Sequence, residues 1–287
     1  MSRQSPDSKS GLKTNSVVFK TINYILLICA CVMIVGPLLI LFIASLKSND
    51  EYLKTAIFEL PKHPEFSNYL RVITKDNILR AYFNTFFIII VSVCGSILLG
   101  SMVAYVLNRF NFKLKKVILN LIVISTVIPF VTVQVATFTV IKSLHLYNTL
   151  FAPILLYLGA DIVQIYIFLQ FLEKVPRDID ESAIIDGASY FRIYWSIIMP
   201  QLKPAIATVI ILKTVSVYND FVVPFLYLPN VKLRTVSTFL FNFTSNQTSQ
   251  WNLLAAAITL VMLPTFIIYL LLQRYIFAGI TEGSVKG

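Results

Sequence analysis

Two ionisable residues lie inside a long apolar segment, within the sequence LKTVSVYND at 212–220. Lys213 and Asp220 are seven residues apart, which is two turns of a helix, so their side chains and that of Ser216 share one predicted face. A charged side chain is costly in lipid, and this cost favours a bundle interior or a water-filled cavity. The stripe therefore either lines a route for a polar substrate or pairs with a neighbouring helix.

The same segment carries an aromatic residue beside hydrogen-bonding groups. Tyr218, Asn219 and Asp220 are consecutive, and together they offer the ring and the polar atoms that polyol substrates favour. We therefore predict that a substrate path is lined by Tyr218, Asn219, Asp220, Lys213 and Ser216.

The sequence lacks the usual signatures of catalysis and nucleotide binding. Its nine glycines are scattered, and the phosphate-binding pattern G-x-x-x-x-G-K-[ST] does not occur. The two histidines, His63 and His145, are far apart in the sequence, and the three cysteines have no metal-ligand or disulfide spacing. We expect this chain to bind no metal or cofactor and to have no enzymatic activity of its own.

The composition indicates that a bilayer surrounds these residues. The 287 residues are 57% hydrophobic and only 13% charged, outside the usual range for a soluble domain. A membrane span needs about 20 mainly apolar residues. Six segments meet this requirement, and they lie at roughly 21–45, 82–107, 117–141, 150–172, 205–227 and 252–273. The predicted fold class is an all-α integral membrane protein with six transmembrane helices.

The net charge of +10 is explained by membrane orientation and not by a nucleic-acid partner, because the basic residues form no single cluster. With six spans both termini share one side, and that side carries most of the Lys and Arg residues outside the spans. The excess predicts that both termini lie in the cytoplasm. We expect a cytoplasmic tail at 1–20, a six-span domain at 21–277 and a second cytoplasmic tail at 278–287, without a cleaved signal peptide.

A polar segment at 176–204 separates the predicted fourth and fifth spans. Asp178, Asp180 and Glu181 begin a short helix, where acidic residues are favourable, and Gly187 can adopt the backbone angles of a turn. Aromatic and aliphatic residues from Tyr190 to Ile198 recur on one face of a second short helix, which prolines at 200 and 204 are expected to end. This helix-turn-helix either binds a protein partner or packs on its own bundle.

The 176–204 segment resembles the cytoplasmic signature of ABC importer permeases. The family pattern, in its extended form for oligosaccharide importers, is E-A-A-x-x-D-G-A followed by F, I and L-P-x3-P. The matching residues are Glu181, Ala183, Asp186, Gly187, Ala188, Ile197, Pro200 and Pro204. The chain departs from the pattern at Ser182, Tyr194 and Met199, which are mild changes in size.

Further segments resemble the same family in the same order along the chain. They are SNYLRVI with YFNTFFI within 67–88, YNDFVVPFLYL at 218–228, and the closing segment at 263–287, which ends in Val-Lys-Gly. Together with the lack of a large external domain, they make the chain most similar to the smaller permease of maltose-type systems.

The resemblance implies an assembly. A second, related permease would complete the pore, two copies of a cytoplasmic ATPase would use ATP and magnesium, and an external binding protein would deliver the sugar. The 176–204 segment would be the coupling loop to the ATPase, with Glu181 as an ion-pair partner and Gly187 as the turn. The coupling residues would be Glu181, Ala183, Asp186, Gly187, Ala188 and Pro200. In the C-terminal tail, Gly283 and Lys286 would also reach the ATPase.

The resemblance places the chain in a bacterial or archaeal plasma membrane as a sugar-importer permease. Two alternatives remain at this point. One is an importer of another branch, for amino acids, phosphate or polyamines, which shares the shorter signature. The other is a self-contained channel or secondary transporter, which would be expected to have inverted repeats and would need no docking loop.

Overall fold

The computed structural model describes residues 9–75, 77–159, 161–243 and 250–284, of which residues 9–18, 242, 268, 269 and 271–284 are described by their backbone alone. Within these ranges the chain forms helices and no strand. The predicted all-α class agrees with this architecture.

The α-helices are α1 (Lys9–Ser45), α2 (Asn49–Lys54), α3 (Ser67–Thr74), α4 (Ile78–Arg109), α5 (Lys115–Ser125), α6 (Phe130–Ser143), α7 (Phe151–Leu158), α8 (Ile162–Glu173), α9 (Asp178–Ile185), α10 (Tyr190–Ile193), α11 (Met199–Gln201), α12 (Lys203–Asn219), α13 (Val222–Tyr227), α14 (Val236–Phe239) and α15 (Trp251–Ser284). A π-helical turn at Tyr194–Ile198 joins α10 to α11, and 3-10 helices cover Val231–Leu233 and Leu240–Phe243.

Two of the described helices are long and apolar enough to cross a bilayer alone, namely the Phe19–Ser45 part of α1 and α4. Three further crossings are available if bent pairs each act as one span: α5 with α6, α7 with α8, and Tyr190–Gln201 with α12. Their bends are 105°, 45° and 74°. The described apolar part of α15 is shorter and ends at Ile267. The count of six spans therefore stays a prediction.

Each bend has a local cause in the sequence. Pro129 takes an extended conformation directly before α6, after α5 has ended. Asp161 begins α8 by accepting a hydrogen bond from the Gln164 amide at 2.8 Å. Leu202 separates the 74° pair, and Pro204 occupies the first turn of α12, where its missing N–H costs nothing.

Contacts divide the chain into two units, Met1–Val72 with Phe243–Leu260 and Ile73–Asn242 with Val261–Gly287. In the first unit, Asn68 organises the segment after α1. Its side-chain amide donates to the carbonyls of Ser45 and Lys47, both at 2.9 Å, and its carbonyl accepts from Asn252 Nδ2 at 3.1 Å. Both polar groups of the Asn68 side chain are thereby hydrogen-bonded inside this unit.

In the second unit, α4 is the central element and packs against α7, α8 and α12. It is an uninterrupted helix of 32 residues with buried small and polar side chains along its length. Gly95 permits close approach of α7, because a Cβ at this position would collide with the Leu158 side chain. The helix break between α7 and α8, described below, is therefore held close to α4.

Candidate functional site

The 176–204 segment forms a helix, a glycine turn and a second helix. Gly187 has φ +81°, the left-handed conformation that glycine adopts without strain. The Gly187 amide donates to the Ile184 carbonyl and the Ala188 amide to the Ala183 carbonyl, both at 2.9 Å. This is the hydrogen-bond pattern of a Schellman C-cap, which satisfies the last carbonyls of α9. The turn is thus fixed by the sequence at Gly187.

The faces of α9 differ in exposure. Asp180 and Ala183, three residues apart, are buried. Glu181 is exposed, and Ile185 beside the turn is 85% exposed although it is a large aliphatic residue. Burial of such a side chain by a partner is favourable, because apolar surface removed from water contributes about 25 cal/mol per Å². The outward face of α9 therefore combines an acidic residue with an uncovered apolar one.

The remaining predicted coupling residues lie in the turn after α9 and in α11. Asp186 and Gly187 are exposed in the turn, and Ala188 is half-buried. Pro200 is exposed in α11 and does not end the second helix, which continues to Gln201. The π-helical turn precedes it, with the Met199 amide bonded to the Tyr194 carbonyl, so the helix passes through the proline before breaking at Leu202.

A buried ion pair joins the first helix of the loop to the end of α4. Arg109 Nε lies 2.7 Å from Asp180 Oδ2, and the two side chains are 6% and 11% exposed. Burial raises the pKa of the Asp180 carboxyl above its ordinary value, because the loss of solvation outweighs the attraction of Arg109 and of Arg177. The pair therefore fixes a position more than it adds stability.

The second helix of the loop also contacts α4. The hydroxyl groups of Ser101 and Tyr194 lie 2.8 Å apart, and the rings of Tyr105 and Tyr194 have centroids 5.5 Å apart. Ser101, Tyr105 and Arg109 are spaced by four residues and therefore occupy one face of α4. We call these three residues the α4 stripe.

Sequence reasoning did not identify the α4 stripe. Arg109 contributed there only to membrane orientation, and Asp180 only as an acidic residue in the first turn of a helix. One available signal was the three-residue spacing of Asp180 and Ala183, which places the carboxylate on the inward face. Its basic partner is 71 positions away in the chain, and nothing local in the sequence indicates it.

Lys213 reaches from α12 to the break between α7 and α8. Its ammonium group donates to the Gly159 carbonyl at 3.0 Å and pairs with Asp161 Oδ2 at 3.2 Å. Lys213 is 10% exposed and Asp161 is 52% exposed. A broken helix in a span leaves backbone carbonyls that need polar partners, and Lys213 supplies one.

A cavity of about 210 Å³ opens beside this pair. Its polar lining consists of Asp161, Gln164, Lys213 and Ser216, and its other walls are aliphatic. Lys213 and Ser216, from one face of α12, thus both line this cavity. Asp161 and Gln164 join them from α8, which the sequence did not indicate.

The other predicted path residues lie elsewhere. Tyr218 is buried and donates to the Val261 carbonyl at 2.7 Å, while exposed Asn219 donates back to the Val215 carbonyl at 2.9 Å. Asp220 lies beyond the end of α12 in an extended conformation, so the seven-residue spacing does not place it on the helical face of Lys213.

The Asp220 carboxylate makes two kinds of contact. One oxygen accepts from the amide of Val222 at 2.8 Å and that of Val223 at 3.3 Å, which begins α13. The other oxygen accepts from the Tyr157 hydroxyl at 2.8 Å. Asp220 therefore joins α7 to the start of α13.

The two predicted tail contacts, Gly283 and Lys286, come from the C-terminal end of the sequence. Gly283 belongs to the backbone of α15, and Lys286 lies outside the described residues.

Comparison with known proteins identifies the family. Residues 96–282 match the family described as binding-protein-dependent transport system inner membrane component. The match covers more than half of the chain. The chain belongs to this family, and the predicted membership among ABC importer permeases is confirmed.

Curated relatives resemble the chain over nearly its whole length. A probable starch degradation products transport system permease protein, AmyC of Thermoanaerobacterium thermosulfurigenes, is 33% identical over 88% of this chain and 92% of its own. The galactooligosaccharides transport system permease protein GanQ of Bacillus subtilis is 32% identical over 97% and 99%. The melibiose/raffinose/stachyose import permease protein MelC of the same species is 30% identical over 93% and 97%.

A solved structure has the same fold. It is a bacterial ABC transporter involved in the import of the acidic polysaccharide alginate, and one of its chains matches with a TM-score of 0.80 at 21% identity. The match covers 94% of this chain and 99% of that chain. The helical architecture described above therefore has the fold of that chain.

Replacement of Asp220 by Ala is expected to lower stability, because α13 loses its first-turn acceptor and Tyr157 loses its partner. Loss of a capping side chain costs about 0.5–2 kcal/mol, and a lower thermal midpoint by intrinsic fluorescence in detergent would report it. Asn219→Ala is the matched control, since Asn219 bonds only within its own helix. An unchanged midpoint for Asp220→Ala, or an equal loss in both variants, would contradict this role.

Proposed function

We propose that this chain is a permease subunit of an ATP-driven, binding-protein-dependent importer of oligosaccharides. The observation that carries the proposal is its near full-length similarity to relatives named as oligosaccharide permeases, at 30–33% identity. The exposed helix-turn face at Glu181–Gly187 supports the same assignment, because such a protein needs a surface through which a separate ATPase acts on it.

The assembly would contain four further subunits. A second, related permease forms the other half of the pore, two copies of a cytoplasmic ATPase bind ATP and magnesium, and an external binding protein delivers the sugar. This chain supplies six spans in the plasma membrane of a bacterium or archaeon, with both termini and the 176–204 loop in the cytoplasm. In this proposal the nucleotide and magnesium are bound by the ATPase and not by this chain.

The outward face of α9 and its turn form the ATPase docking surface in this proposal. Glu181 offers a carboxylate to a basic residue of the ATPase, and Ile185 offers uncovered apolar area. Asp186, Gly187 and half-buried Ala188 continue this surface through the turn. Ala183 acts indirectly, because it is buried against the bundle and sets how α9 sits. Pro200 and the tail residues Gly283 and Lys286 are further proposed contacts.

The cavity beside Lys213 is the proposed part of the substrate path. Its four polar side chains can exchange hydrogen bonds with sugar hydroxyl groups, and its aliphatic walls suit the apolar faces of a sugar ring. Tyr218, Asn219 and Asp220 complete the proposal at the far end of α12, where Asn219 is the exposed member. A helix break that lines a cavity inside a span is a common position for such sites.

The proposal is preferred to its two alternatives on specific grounds. An importer of amino acids, phosphate or polyamines would share the short loop signature. The relatives that match 88–97% of this chain are instead named for the transport of sugars or starch degradation products. A self-contained channel would have no use for an exposed apolar helix-turn surface outside the spans.

The docking surface predicts that Ile185→Glu reduces the amount of ATPase that co-purifies with the membrane complex, since a charge would be buried at the contact. The measurement is a pull-down of the ATPase by the full chain in detergent. Gly187→Pro should have the same effect because proline cannot adopt φ +81°. Phe58→Glu is the control, since Phe58 is similarly exposed but lies between the first and second predicted spans, on the side of the membrane opposite the loop. Undiminished ATPase recovery with both loop variants would refute the surface.

The path predicts that water reaches Ser216. In a chain whose three cysteines are replaced, Ser216→Cys should react with a charged, membrane-impermeant thiol reagent in the assembled complex, and sugar that is being transported should slow the reaction. Val215→Cys, one position away on the same helix and also exposed in the isolated chain, is the control for a lipid-facing or partner-facing thiol. Equal reaction at both positions, unaffected by sugar, would exclude a path at this cavity.

A further inference from the structure

We propose that the α4 stripe, Ser101, Tyr105 and Arg109, positions the coupling loop on α4 and transmits its movement to the helix break between α7 and α8. This inference rests on the proposed docking of the loop to an ATPase. None of the three residues lines the cavity beside Lys213, so we assign them a role in coupling and not in recognition.

Both helices of the loop contact the same face of α4. Arg109 pairs with Asp180 in α9, and Ser101 and Tyr105 meet Tyr194 in the second helix. The glycine turn lies between these two attachments along the loop. A displacement of the turn would therefore act on α4 at two positions, Arg109 and the Ser101–Tyr105 segment.

Two arginine residues make reciprocal contacts at the end of α4. Arg109 Nη2 donates to the Val175 carbonyl at 3.1 Å, and Arg177 Nη2 donates in the opposite direction to the Asn108 carbonyl at 3.0 Å. Backbone carbonyls of both segments are therefore held by guanidinium groups of the other. Because the planar Arg109 guanidinium also pairs with Asp180, its two partners fix its orientation as well as its distance.

The Arg109–Asp180 ion pair is buried. A buried ion pair is often no more stabilising than apolar side chains of the same volume, but removal of one partner leaves an uncompensated charge. The pair accordingly makes separation of the loop from α4 costly. It contributes more to holding one relative position than a looser apolar contact would.

A second set of contacts joins α4 to the start of α8, beside the helix break. Ser96 Oγ donates to Gln164 Oε1 and Gln164 Nε2 donates to the Ser96 carbonyl, both at 2.8 Å. Ser96 and Arg109 are separated by 13 residues of uninterrupted helix, about 20 Å at 1.5 Å per residue. Displacement of α4 at the loop must therefore reach Gln164 and the neighbouring Lys213 cavity.

The test compares ATP hydrolysis with sugar uptake in proteoliposomes that contain the complete transporter and its binding protein. The probe is whichever of labelled maltotriose, raffinose and arabinotriose the wild-type complex transports. Asp180→Ala and Arg109→Ala should keep ATPase recovery and stimulated hydrolysis but reduce sugar transported per ATP by at least about fivefold, the lower range of measured coupling effects.

Two further variants separate positioning from folding. Tyr194→Phe removes only the hydroxyl that meets Ser101, and it should reduce the transport-to-hydrolysis ratio less than Asp180→Ala does. The exchange of Arg109→Asp with Asp180→Arg restores the pair and should recover much of the ratio. Arg192→Ala is the control, because Arg192 is an exposed arginine of the same loop.

The outcomes distinguish the two proposals. If sugar uptake by the wild-type complex does not depend on ATP, the proposed function fails, and the coupling role fails with it. If the wild type is coupled but Asp180→Ala and Arg109→Ala retain its ratio, only the role of the α4 stripe is overturned. Loss of the ratio in Arg192→Ala to the same extent would also overturn it.

Discussion

The buried pair of Arg109 and Asp180 is the contact on which the functional geometry of this chain depends. It joins the end of the longest uninterrupted span in the second unit to the first helix of an exposed loop. Desolvation of both groups opposes formation of the pair, but removal of either partner would leave an uncompensated buried charge. The loop therefore has a defined position on α4 even though its outward face is uncovered.

The same helix connects levels of the unit that are far apart along the membrane normal in the proposed topology. Near its start, Asn84 donates to the carbonyls of Lys232 and Arg234, and Thr85 accepts from the Val236 amide. In its middle, Ser96 meets the helix break, and at its end the stripe meets the loop. Packing at protein density transmits strain along such a helix, because neighbouring side chains have little free space.

The break between α7 and α8 shows why polar residues persist inside an apolar bundle. The unwound Gly159 carbonyl would be left without a partner in lipid, and Lys213 satisfies it while Asp161 balances the charge. The half-exposed carboxylate and its neighbours then face a cavity. The side chains that satisfy the helix break thus also line the cavity that we propose as part of the substrate path, so the two initial explanations of Lys213 are not exclusive.

The sequence was informative where local rules decide the outcome. The turn at Gly187 followed from the need for a left-handed residue after an acid-led helix, and the common orientation of Lys213 and Ser216 on α12 followed from helix periodicity. Asp220 was misplaced on that face because its own carboxylate starts α13 and ends the helix early. The partners of Lys213 and Asp180 could not be predicted, because each lies on another helix and only the tertiary fold brings them together.

The central claim is that α4 and the loop move as one body when the ATPase acts. Spin labels at Ile90 in α4 and Arg192 in the loop, in a chain without its native cysteines, would report their distance by double electron–electron resonance in the complete transporter. The account predicts the same distance distribution in the nucleotide-free and vanadate-trapped states. A shift of the distribution between these two states would contradict it.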